Sequence, residues 1–141
     1  MKRFLFALFA VMLLNGCTGP FPFNKPVDPT DPAQNGGTYR QISMDEAIAI
    51  MNSQTGYIIL DVRRVDEFAA GHIPGAINVP NESIGSGEIP ELPNKDQLIL
   101  VYCRSGNRSK QASEKLVALG YTNIVEFGGI LDWPGETVPA E

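Results

Sequence analysis

An α/β domain with a mainly parallel sheet, helices on both faces, is what three features of the sequence predict. From Thr38 onward, short apolar runs alternate with stretches of helical periodicity. The runs are continuously apolar, as strands covered on both faces require. Turn residues such as Gly56, Gly71, Pro80 and Gly120 fall between them.

Taken in order, residues 39–42 form a short strand candidate. Ser43 and Glu46 have the S-x-x-E spacing of a capping box, in which each side chain serves the other's backbone N–H. Behind it Met44, Ala47, Ile48 and Met51 fall on one helical face. Residues 57–60 read as a buried strand, and 65–70 as a short helix stopped by Gly71. A brief strand over 76–79 precedes Pro80. Residues 81–97, with Gly85, Gly87, Pro90 and Pro93, are mostly loop. Residues 97–102 give the clearest strand, an apolar run with turn signals before it. The segment 109–119 is helical, with Ala112, Leu116 and Leu119 on one face and Gly120 as the stop. A last strand over 123–127 leads into Gly128-Gly129 and a turn around Trp133.

The ends of the chain are of another kind. Lys2-Arg3 followed by an apolar run over 4–14 has the form of a signal-peptide core, too short to span a bilayer. Leu14-Asn15-Gly16-Cys17 then resembles the lipobox of bacterial lipoproteins. That resemblance makes residues 1–17 the signal peptide, Cys17 the lipidated N-terminus, and the protein an extracytoplasmic one of the cell envelope, anchored to a membrane by acyl chains. Residues 18–37 carry proline at 20, 22, 26, 29 and 32, which favours an extended spacer. Residues 38–141 are then one domain.

Net charge narrows the partners. The sequence carries −5 overall, and loss of the leader leaves 9 basic against 16 acidic side chains. A phosphate backbone is repelled by such a surface, so no nucleic acid is expected. No cofactor motif is present. His72 is a lone histidine without a second ligand cluster, so no metal site is expected either.

With Cys17 acylated, Cys103 has no disulfide partner in the chain, which holds 2 cysteines. In a parallel sheet ligands sit at the carboxyl ends of strands beside helix N-termini, and Cys103 follows the central strand at such a place. The loop 103–109 reads Cys103-Arg104-Ser105-Gly106-Asn107-Arg108-Ser109. A helix N-terminus offers unpaired N–H groups, Gly106 allows them to turn inward, and Arg104 and Arg108 add charge. Each favours thiolate over thiol. The same cradle suits a small anionic sulfur donor and a persulfide.

This loop resembles the active-site loop of single-domain rhodaneses. Asp61-Val62-Arg63, Glu67-Phe68 and residues 71–78 resemble that family's upstream signature, and Gly128-Gly129-Ile130 through Trp133 its C-terminal segment. The likeness spans about residues 38–136. It implies a rhodanese-like, five-stranded sheet and sulfur transfer through a persulfide on Cys103, from a thiosulfate-like donor to a thiol or cyanide-like acceptor. It further implies a backbone cradle from Arg104, Ser105, Gly106, Asn107, Arg108 and Ser109, with Arg108 and secondarily Arg104 meeting the donor's sulfonate. Asp61 and Arg63 either brace the loop or form a structural ion pair. Phosphatases on the same fold place arginine six positions after the nucleophile. Here Ser109 holds that position and arginine comes one earlier, which favours sulfane sulfur. The alternative is a non-catalytic, membrane-tethered module for partner binding or sulfane-sulfur sensing.

Overall fold

The computed structural model describes residues 38–85 and 87–141. The signal peptide, the lipobox with Cys17 and the tether over 18–37 lie outside the described residues.

Five strands form one sheet: β1 (Arg40–Gln41), β2 (Ile58–Asp61), β3 (Ala76–Asn78), β4 (Ile99–Cys103) and β5 (Ile124–Gly129), in the order β1-β5-β4-β2-β3. Every pairing is parallel. The connections carry α1 (Met44–Ser53), α2 (Val65–Ala70) and α3 (Asn107–Ala118). Short 3₁₀ turns occupy Asn81–Ser83 and Ile130–Asp132.

Strand β4 is central because all five of its residues are apolar enough to be buried on either side. Its alternation sorts the core into two layers. Ile99, Val101 and Cys103 join Leu60, Ile124, Ala112 and Leu116 on the α3 face. Leu100 and Tyr102 join Ile59, Val125, Phe127 and Ala47 on the α1 face. Each fully buried leucine or isoleucine in these layers contributes about 2 kcal/mol. The first helix is fixed locally as well: Ser43 Oγ accepts the Glu46 N–H at 3.2 Å and Glu46 Oε2 accepts the Ser43 N–H at 2.8 Å. Such a cap is worth about 1 kcal/mol.

Most strand ends lie one or two residues from the sequence reading, and three boundary shifts bear on the site. Helix α3 starts at Asn107 because Gly106, at φ 99°, turns the chain into it. The two extra residues are polar and add nothing to an apolar periodicity. Cys103 closes β4 instead of following it, paired with Gly129. Strand β5 accordingly runs on to Gly129, and an irregularity in register between Val101 and Cys103 lets the glycines keep the ladder.

Candidate active site

The alternation of β4 aims Cys103 at the α3 face, at the carboxyl end of the central strand. Its residue exposure is 1%. Gly106, with its left-handed backbone, brings its own N–H back to Cys103 Sγ at 3.1 Å. Burial by itself raises the thiol's pKa. The Ser109 hydroxyl and the N–H groups of Ser109, Ser105 and Gly106 together outweigh it, so the thiol is more acidic than an ordinary cysteine.

The loop is seated on the end of β5. A β-carbon on Gly129 would run into the Arg104 carbonyl and Ser105 Cα, so only glycine lets the two backbones approach. The Leu131 N–H donates to Arg104 O at 3.3 Å, fastening the same point. At the other end of the loop, Ser109 is fully buried and its hydroxyl donates to Glu126 Oε1 at 2.6 Å.

The predicted loop residues divide by position. Arg104, Ser105 and Asn107 are exposed, Gly106 and Ser109 are buried, and Arg108 is half-buried. Sequence reasoning gives Arg108 to a donor. In the structure its fork is taken by Glu67 on α2, with Nη1 to Oε2 at 2.6 Å and Nη2 to Oε1 at 2.9 Å. This bidentate pair, and the Arg64 N–H that also donates to Glu67, pull the Glu67 carboxyl down to about 2.

Asp61 and Arg63 form the structural ion pair, the second of the two readings open in the sequence. The Arg63 guanidinium contacts Asp61 at 2.6 Å and donates to Gly71 O at 2.7 Å. Asn78 Nδ2 donates to the carbonyls of Asp61 at 2.9 Å and Arg63 at 3.0 Å. Their hydrogen bonds thus hold the turn before β3, and none reaches the 103–109 loop. The Tyr102 hydroxyl, kept neutral by burial and then by the Asp61 carboxylate, accepts the Ile73 N–H at 3.1 Å on the same side.

His72 is architectural. Its ring stacks on Phe68 at 3.7 Å, Nδ1 lies 3.0 Å from the Phe68 carbonyl, and its backbone bridges to Val138. Trp133 packs against the α1 face and donates from Nε1 to Glu136 O at 3.2 Å.

Two contacts around the site escaped the sequence reading. Glu67 was legible only as part of a motif, because its partner lies 41 positions away. Glu126 carried a signal that went unused: it is a lone charge in the otherwise apolar run Ile124–Gly129.

Chemically, the arrangement offers one acidified sulfur at the base of a ring of main-chain donors, with a paired guanidinium at its edge. Residues 43–136 match the family model described as Rhodanese-like domain. The thiosulfate sulfurtransferase PspE of Escherichia coli is 36% identical over 73 residues, covering 52% of this chain and 70% of that protein. The thiosulfate sulfurtransferase GlpE of Pseudomonas putida is 32% identical over 103 residues, covering 73% of this chain and 91% of that one. Other curated relatives are much longer, and the chain spans 26% of one and 55% of another. The solved structure described as rhodanese with anions from E. coli superposes with a TM-score of 0.55 at 32% identity, over 60% of this chain and 99% of that chain. Fold, site and sequence agree, and the chain belongs to the rhodanese-like domain family.

Proposed function

We propose that the protein is a sulfurtransferase that carries sulfane sulfur on Cys103, held to a membrane on the outer side of the cytoplasm through lipid on Cys17. The observation that carries the reading is Cys103 Sγ at the end of the central strand, 3.1 Å from an inward-turned N–H and more acidic than an ordinary thiol. Relatives named thiosulfate sulfurtransferase support it. So does the solved relative described with anions.

In the proposed cycle the Cys103 thiolate attacks the outer sulfur of thiosulfate. A sulfur–sulfur bond forms to Cys103, the bond to the sulfonate sulfur breaks, and sulfite leaves with the electron pair. The ring of N–H groups holds the negative charge of the resulting persulfide. An acceptor such as cyanide or a thiolate then attacks the terminal sulfur, and Cys103 departs as thiolate. Arg108 guides the donor when its sulfonate replaces Glu67 on the guanidinium fork. The acidified cysteine favours this reading over that of a tethered module that only binds a partner, which has no need of it; a sulfane-sulfur sensor would use the same thiol without turnover.

Full-length protein treated with thiosulfate should gain the mass of one sulfur atom and lose it to cyanide with release of thiocyanate. Cys103→Ser should do neither. A folded wild-type protein that never gains sulfur from any donor would leave the tethered-module reading in its place. Labelled fatty acid should enter the wild type and be absent from Cys17→Ala.

A further inference from the structure

Glu126 is the one charged residue of β5, and it is 3% exposed. Its register partner is Val101, which lies on the α3 face. Oε1 accepts two hydrogen bonds, from Ser109 Oγ at 2.6 Å and from the Gly128 N–H at 2.9 Å. The same oxygen lies 4.0 Å from where a β-carbon on Gly106 would stand, so the carboxylate abuts the turn of the loop. Ser109 Oγ also approaches Gly106 O at 2.9 Å and Gly128 O at 3.4 Å.

A serine hydroxyl has a single proton to give. Ser109 is near enough to Cys103 to favour its ionised form, yet the shortest and most strongly accepting partner of the hydroxyl is the Glu126 carboxylate. The sulfur's own close donor is the Gly106 N–H. One residue therefore joins both sites: the N–H of Gly106 faces the sulfur and its carbonyl faces Ser109.

We propose that Glu126 is a positioning residue of the sulfur site: by engaging the Ser109 proton it ties the head of α3 to the end of β5 and draws the hydroxyl's support away from Cys103 Sγ. The inference rests on Cys103 being the working atom and is independent of which donor supplies the sulfur. The carboxylate's charge, held against Gly106, opposes ionisation of the nearby thiol. Other charged and titratable groups around the loop are Arg104 on the loop itself, Arg108 on α3, Glu67 on α2, Glu82 in the turn over Asn81–Ser83, and the Asp61–Arg63 pair at the end of β2. Tyr39 lies beside Glu126 on the far side of β5.

The test is the pH dependence of Cys103 alkylation by iodoacetamide, followed by intact mass on the full-length protein, with melting temperature measured alongside. Glu126→Gln keeps an oxygen acceptor for Ser109 and Gly128 while removing the charge. Its alkylation midpoint should fall by about 1 unit. In Ser109→Ala the midpoint should rise only slightly, by much less than about 1 unit, while the melting temperature drops, because the lost hydroxyl proton was engaged mainly by Glu126. An unmoved midpoint in Glu126→Gln overturns the proposal. A rise of about 1 unit in Ser109→Ala also overturns it, since the hydroxyl would then be serving the sulfur. Should Glu126→Gln fail to fold, the Ser109→Ala arm decides alone. Alkylation needs no sulfur transfer, so a chain with the expected profiles that never accepts sulfur refutes the sulfurtransferase reading and leaves this one standing.

Discussion

Two arginine–carboxylate pairs flank the carboxyl edge of the sheet, and they differ in every respect except chemistry. Asp61 and Arg63 are neighbours in sequence, with side chains 0% and 7% exposed, and their spare donors and acceptors go to Gly71 and the backbone. Glu67 and Arg108 come from different helices, with side chains 21% and 26% exposed, at the edge of the loop that carries Cys103. The first pair has no access to a ligand and serves the turn before β3. The second is within reach of solvent, and each partner is free to exchange. Burial, not charge, separates scaffold from working part.

Breaking the buried pair should have the largest effect. Asp61→Ala leaves Arg63 buried without a counter-charge and should cost about 3–5 kcal/mol of stability, read as denaturant midpoint. The fraction that remains folded should still take sulfur. Equal loss of sulfur uptake per folded molecule would mean that the two pairs are not separable.

Arg108→Ala should lower kcat/KM for thiosulfate by about ten- to a hundredfold, the worth of hydrogen bonds to a charged group. The melting temperature should change much less. A proportionate fall in both would place Arg108 with the scaffold.

The smallest effect belongs to Glu67→Gln, at about 1 kcal/mol or less for a partly exposed pair. Its pH dependence identifies it. The folded-state pKa of Glu67 is depressed to about 2 from an ordinary 4.5, so its contribution is complete above pH 4.5 and is lost as pH falls toward 2. Wild type and Glu67→Gln should therefore differ in melting temperature at neutral pH and converge on acidification. A difference that persists at pH 2 would show that the pair is not its source.

The fold was legible because its signals are local. The capping box at Ser43, the apolar run of β4 and the glycine stops each act within a few residues, and the structure shows elements at each place. Cys103 and its loop were legible for the same reason: a glycine and two arginines lie within five positions of the sulfur. What the sequence withheld is distance. The pairing of Glu67 with Arg108 spans 41 positions and that of Ser109 with Glu126 spans 17, and no periodicity reports contacts of that kind. The register irregularity that sets Gly129 beneath Arg104 was equally silent, although the paired glycines marked the spot.

The near-complete enclosure of Cys103 has a consequence for traffic in sulfur. With only 1% of the residue exposed, a bulky reagent in the surrounding medium has little of Cys103 to meet. Under the proposed activity, a loaded sulfur is released only to a recipient narrow enough to descend to it, or to a surface that prises the entrance apart. Selection among recipients then happens on the way in, before any bond is exchanged.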